Sequence, residues 1–191
     1  HEMMQKIYSE PIKTVLISKR VEEIKNKNAT AAVSFVPQNA KRHAPLAVEA
    51  GADIVVVQGT VITARHTSRS LRGLILSELV KDLRVPIIVG NTVSYEVTKE
   101  LMEQGIHGIL VGVGPGSVCT SREVLGIGVP QITATLECAA GREAYYKETG
   151  RYVPIVTDGG IRTGGDICKS FAAGADAVMI GSPFAKCREA P

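Results

Sequence analysis

The sequence predicts an α/β fold, containing about six βα units of a (β/α)8 barrel. Two observations carry this. Runs of β-forming residues that are apolar without alternation recur along the chain, as in strands buried on both faces. Each run is separated from the next by a helix-compatible stretch, and strict alternation of the two means a parallel sheet with covering helices. A third observation is a repeat: Gly51-Ala52-Asp53, Gly105-Ile106-His107 and Gly174-Ala175-Asp176 each stand between a helical stretch and an apolar run. Each glycine reads as the left-handed residue that ends a helix.

The elements follow in order. Glu2–Lys27 looks helical, with Val15, Leu16, Lys19, Val21 and Ile24 mixing faces, and supplies no strand. Strands are predicted at Ala31–Val36, Ile54–Val57, Val85–Val89, Ile109–Val111, Val153–Val156 and Ala177–Ile180. Helices are predicted between them at Gln38–Ala50, Leu74–Leu83, Ser94–Gln104, Thr133–Lys147 and Asp166–Ala173. Ser94 suits a helix N-cap, with Val97 and Leu101 one turn apart on the inward face. A doubly wound open sheet is the rival architecture. No Gly-x-Gly-x-x-Gly follows the first strand, which weakens its dinucleotide-binding form. Six strands are two short of a closed barrel. The expectation is therefore a segment of a longer polypeptide, with 1–27 a helical lead-in and 28–191 carrying strands three to eight. The first two strands, and whatever follows Pro191, would lie outside it.

Bulk properties exclude several classes. With 45% apolar and 21% charged residues, 191 residues suit one ordinary globular domain. No apolar run approaches the roughly eighteen residues of a membrane span, and no leader opens the chain. A net charge of +3, scattered basic residues and no Trp argue against nucleic acid as partner. The cysteines, at 119, 138, 168 and 187, form no CxxC pair. That spacing suits reduced thiols in a cytoplasmic enzyme better than a disulfide framework or a zinc site.

Three constellations sit at predicted strand ends, where barrel enzymes keep their sites. Gly112-Val113-Gly114-Pro115-Gly116-Ser117-Val118-Cys119-Thr120-Ser121-Arg122 is the first. Its glycines let backbone N–H groups approach an anion. Arg122 can help populate the Cys119 thiolate. The plainer alternative is a buried free Cys in a Gly-rich turn. Thr157-Asp158-Gly159-Gly160-Ile161 is the second: Asp158 can accept from a vicinal diol such as a ribose, and Gly159-Gly160 can offer N–H groups to a phosphate. A type II turn capped by Asp is the alternative. Gly181-Ser182 is the third, in a loop position that frequently binds phosphate. The last two together read as a nucleoside monophosphate cradle, and no P-loop sequence indicates a triphosphate.

Other positions carry weaker signals. Asn91 and Gln58-Gly59-Thr60 end strands, and structural and ligand-binding roles are equally open for them. His66 with Arg65 and Arg69 reads as a basic loop, either solvated or serving an anion. His43 and His107 read as structural. Cys138, Cys168 and Cys187 are expected to pack on or near helices as small apolar groups. Glu137–Arg151 reads as a helix and turn with a wet face. A Schiff-base aldolase or isomerase is disfavoured, because Lys169 and Lys186 lie off the strands.

These stretches, in sequence and order, resemble the IMP dehydrogenase/GMP reductase family. The motifs are Gly114–Thr120, Gly126-Ile127-Gly128-Val129-Pro130-Gln131, Asp158–Ile161 and Gly174–Ser182, and the likeness spans about residues 30–191. Val57-Gln58-Gly59-Thr60 and Ala64-Arg65-His66 look most like a branch of related proteins lacking the regulatory insert. The resemblance implies that Cys119 attacks C2 of the purine. It implies that Ser117, Gly160, Gly181 and Ser182, beside Gly159, hold the 5′-phosphate and that Asp158 holds the ribose hydroxyls. Asn91 would face the nicotinamide, with Gln58 nearby. Thr120 or Ser121 would sit by the leaving group or attacking water. Backbone carbonyls of Gly114, Gly116 and Cys119 would surround a monovalent cation such as K+. The implied reaction is IMP to XMP with NAD, or GMP to IMP with NADPH, in a homotetramer or higher assembly. A paralogue that binds nucleotide without turnover is a further possibility. Gln58 departs from the Asp that typical dehydrogenases carry near the nicotinamide. The Arg-Tyr flap of the dehydrogenases and the Glu of the reductases would both lie past Pro191.

Overall fold

A computed structural model describes residues 2–64 and 73–190. Helices α1 (Glu2–Tyr8) and α2 (Thr14–Lys25) lead into β1 (Ala32–Phe35) and α3 (Pro37–Glu49). Then come β2 (Ile54–Gln58), α4 (Leu76–Asp82), β3 (Ile87–Thr92), α5 (Tyr95–Glu103) and β4 (Gly108–Val111). A short α6 (Ser121–Val124) and the long α7 (Gln131–Thr149) precede β5 (Ile155–Asp158). The described part ends with α8 (Gly164–Ala172), β6 (Ala177–Met179) and a 3₁₀ turn, Phe184–Lys186. The expected single lead-in helix is two, because the extended backbone demanded ahead of and through Pro11 breaks it.

The strands form one parallel sheet in the order β1-β2-β3-β4-β5-β6. A doubly wound sheet reverses its strand order part-way, and this one does not. The sheet curls as part of a (β/α)8 barrel, with α5 and α7 packed side by side on its outside. Val55, Val57, Ile87, Val89, Ile109, Val111 and Ile155 are wholly buried against Leu101, Met102 and Ala134 of those helices. A smaller cluster joins Val21 of α2 to Ala31, Ala47 and Ala52. Among the described residues, no helix is long and apolar enough to cross a membrane.

β3 and β5 begin two residues later than the apolar runs suggest. Pro86 and Pro154 stand at those starts and have no N–H to give to a ladder. Both strands also run further, to Thr92 and Asp158, which places polar residues on the strands themselves.

The three-residue repeat has a shared structural job. Gly51, Gly105 and Gly174 take φ of 98°, 86° and 100°, the left-handed helix exit the pattern predicts. The third residue of each repeat then ties down the start of the preceding strand. Asp53 accepts the Ala31 N–H at 2.7 Å, His107 Nδ1 that of Ile87 at 3.2 Å, and Asp176 that of Ile155 at 2.8 Å. Lys25 pairs with Asp53 and Arg142 with Asp176, both near 2.8 Å. The Lys25 ammonium and the Ala31 N–H hold the Asp53 carboxyl below its ordinary value. His107 can accept only as the neutral imidazole, and burial, then the Arg151 charge, pushes its pKa down accordingly. His107 is structural, as expected. His43 is buried on α3.

Candidate active site

The carboxyl ends of the strands bring polar side chains to one mouth. Between β3 and β4 the register shifts at Gly90/Thr92, so Asn91 is the extra residue of a bulge. Bulges re-aim side chains, and here Asn91 turns into the mouth. It is only 6% exposed, yet lines a cavity there. Asn91 Nδ2 donates to Asp158 Oδ2 at 2.8 Å. Gln58 Nε2 donates to the same oxygen at 3.0 Å and to Asn91 Oδ1 at 3.1 Å. Side-chain hydrogen bonds thereby link three strand ends, those of β2, β3 and β5.

The loop after β4 carries the thiol. Gly112 (φ 144°) and Gly114 (φ 79°) turn the chain back over the sheet. Gln131, at the start of α7, donates to the Val111 carbonyl at 2.7 Å and props that turn from beneath. Arg122 Nη2 donates to the Val129 carbonyl at 2.8 Å, so its side chain clasps the loop's return. Cys119 is exposed, its N–H bonded to the Gly116 carbonyl at 3.1 Å. Its Sγ lies 3.4 Å from Ser121 Oγ.

The hydroxyl and backbone N–H of Ser121 hold the Cys119 thiol below its ordinary pKa, and the Arg122 charge adds to them. Arg122 was the expected cause; it acts, but the Ser121 hydrogen bonds come first. Cys138 contrasts: burial in α7 pushes its thiol up to about 11. Cys138 packs in the core as expected. Cys168 on α8 and Cys187 after the 3₁₀ turn are exposed instead.

Two cavities adjoin at this mouth. One, of about 440 Å³, holds Cys119 and Ser121 with Gln58, Thr60 and Asn91 on its walls. The other, of about 620 Å³, is bounded by Ser117, Gly160, Arg162, Gly181 and Ser182. Pro115, Gly116, Asp158 and Gly159 belong to both, forming a low partition. Ser117 Oγ and Ser182 Oγ lie 2.6 Å apart, joining the loops after β4 and β6. Thus Ser117, Asp158, Gly159, Gly160, Gly181 and Ser182 meet in one place, beside the cavity of Cys119, Ser121, Asn91 and Gln58. Thr120 does not line either cavity; its carbonyl accepts the Val124 N–H and starts α6. Arg65, His66 and Arg69 lie outside the described residues. Lys169 is on α8 and Lys186 in the 3₁₀ turn, and neither lines either cavity.

Sequence reasoning did not single out Gln131 or Arg162. Gln131 left a usable signal, because a polar residue directly after Pro130 at a helix start has its side chain free to serve the preceding strand.

The model of the IMP dehydrogenase / GMP reductase domain matches residues 4–191. The chain belongs to the IMP dehydrogenase/GMP reductase family. An uncharacterized oxidoreductase of Mycolicibacterium smegmatis is 40% identical over 190 residues, covering 98% of this chain and 51% of its own length. The inosine-5'-monophosphate dehydrogenase of Cryptosporidium parvum is 44% identical over 153 residues, covering 80% and 36%. The GMP reductase of Leishmania donovani is 41% identical over 183 residues, covering 87% and 34%. A crystal structure of an IMP dehydrogenase/GMP reductase-like protein from Corynebacterium glutamicum superposes with a TM-score of 0.89 at 39% identity. It covers 99% of this chain and 49% of that one. The chain thus spans about half the length of the first of these relatives.

Proposed function

We propose that this chain carries the catalytic half-site of a purine-nucleotide oxidoreductase that works through a covalent Cys119 adduct. The observation that carries the reading is the placement of a thiol of lowered pKa across a shared wall from a cradle of serines and glycines. A nucleoside monophosphate laid over that wall puts its phosphate among Ser117, Gly160, Gly181 and Ser182. Its ribose then lies at Asp158 and its base at Cys119.

The chemistry follows from the residues. The Cys119 thiolate adds to C2 of the purine, and the carbon becomes tetrahedral. In the oxidative direction, C2 of IMP then loses a hydride and water displaces the sulfur, giving XMP. In the reductive direction, C2 of GMP loses ammonia, gains a hydride, and the sulfur departs to leave IMP. A nicotinamide cofactor, NAD or NADP, takes or supplies that hydride when bound. The buried amide of Asn91, held in place by Gln58, and the Thr60 side chain beside it offer neutral donors and acceptors that fit its carboxamide-bearing ring. Ser121 stabilises the thiolate and stands where a proton must move to water or the leaving group.

The Gly114 and Cys119 carbonyls accept no backbone hydrogen bond among the described residues, and the Gly116 carbonyl accepts one. Such free oxygens on one loop fit a monovalent cation such as K+, which would brace the loop. We also infer that residues 28–191 carry strands three to eight of the barrel, and that the protein is a cytoplasmic homotetramer or larger. IMP oxidation with NAD is the first reading. GMP reduction with NADPH is the second, favoured by Gln58 standing where typical dehydrogenases carry Asp.

The full-length protein is expected to turn over one of two mixtures, followed at the nicotinamide absorbance. IMP with NAD should produce reduced cofactor, or GMP with NADPH should consume it. Hydride transfer in neither mixture, with nucleotide bound, would make the chain a binding paralogue and overturn the enzyme reading.

A further inference from the structure

The hydrogen bonds around Asp158 close in only one orientation. Its carboxylate oxygens can only accept, so the atoms of Gln58 and Asn91 that meet Oδ2 must be their amide nitrogens. Gln58 then uses one N–H on Asp158 and the other on Asn91 Oδ1, at 3.0 and 3.1 Å. Its remaining oxygen faces Ser34 Oγ of β1 at 3.5 Å. Every polar atom of the Gln58 amide is assigned, and the side chain has no freedom to flip without placing oxygen against oxygen.

The consequence falls on Asp158. Its Oδ2 is occupied by two donors, and Oδ1 is the oxygen left for a ligand in the adjoining cavity. The geometry points to Gln58 as a positioning residue for sugar recognition: it fixes which edge of the Asp158 carboxylate meets the ribose hydroxyls. This rests on the nucleotide reading above and gives Gln58 a job on the substrate side of the partition. A shorter acidic side chain at 58 would bring a second carboxylate to face Asp158 in place of a donor. An apolar one would leave Oδ2 with Asn91 alone and the carboxylate free to rotate.

The test compares ribose with deoxyribose. Binding of IMP, GMP and their 2′-deoxy counterparts is measured by calorimetry on the full-length protein, then on Gln58→Met and Gln58→Glu. A hydroxyl bonded to an oriented carboxylate should make the parent favour the ribonucleotide by about tenfold or more. Both variants should bring that preference within roughly threefold, mainly by weakening the ribonucleotide, since the missing bond is to its hydroxyl. Binding of the deoxynucleotide reports that the variants are folded. An undiminished ribose preference in both variants, including one where both nucleotides weaken equally, overturns the positioning role and leaves the nucleotide site standing. A parent protein that binds neither IMP nor GMP overturns the functional reading itself.

Discussion

Replacing Cys119 with alanine is expected to abolish hydride transfer while leaving nucleotide affinity within a few-fold of the parent. The thiol is the strongest nucleophile among the described residues that line the smaller cavity. Ser121 cannot stand in for it, because a hydroxyl is a far weaker nucleophile than a thiolate and its bonded neighbour is the Cys119 sulfur itself. Loss of a nucleophile that acts as a unit with its surroundings lowers kcat by about 10³-fold or more. The proposed phosphate contacts, Ser117 and Ser182, line the other cavity, and the proposed ribose contact, Asp158, stands in the partition, so the substitution at 119 removes none of them. Turnover and calorimetric binding, measured on the same preparation, separate the two. A variant with weakened binding and retained kcat would mean that Cys119 shapes the pocket without attacking the base.

Gly112→Ala is the second large effect, and it falls on stability. Gly112 stands at φ 144°, and a Cβ there would lie 2.4 Å from the Asp158 carbonyl and 2.7 Å from Gln131 Oε1. One contact is backbone of the neighbouring strand and the other is a side chain already bonded to Val111, so neither can give cheaply. Left-handed strain and overpacking together should cost about 2–4 kcal/mol of unfolding free energy. Gly126→Ala is the control: it too has positive φ, at 66°, but nothing lies within 4 Å of its Cβ. It should cost about 1 kcal/mol, the backbone term alone. Urea unfolding of the two variants measures the difference. Equal losses would mean that the crowding under the thiol loop is relieved by movement of α7.

The architecture was legible because burial writes itself into composition. Val55–Val57 and Ile109–Val111 are covered on both faces, so their runs carry no alternation, and the glycines that end the helices fall in front of them. What composition does not carry is where a polar residue at a strand end points. Asn91 and Asp158 looked like loop residues after their apolar runs. The ladders continue through them, and the β3 bulge then swings Asn91 across β4 towards Asp158. The Gln58–Asn91–Asp158 triangle joins residues far apart in the chain, and no spacing announces it. Asp53, His107 and Asp176 are a similar case: the repeat was visible, but its side-chain bonds to the preceding strand need three dimensions. Arg122 shows the converse error, since sequence proximity made it the main partner of the thiol where Ser121 is.

The most direct test of the central claim is to catch the bond. The full-length protein is mixed with IMP and NAD, and separately with GMP and NADPH, quenched in acid during turnover, digested, and analysed by mass spectrometry. The account predicts that the peptide carrying Cys119 gains the mass of a purine nucleotide in whichever mixture turns over, and that peptides carrying Cys138, Cys168 or Cys187 do not. Steady turnover with every Cys119 peptide unmodified, under a quench fast enough to sample the reaction, would contradict it.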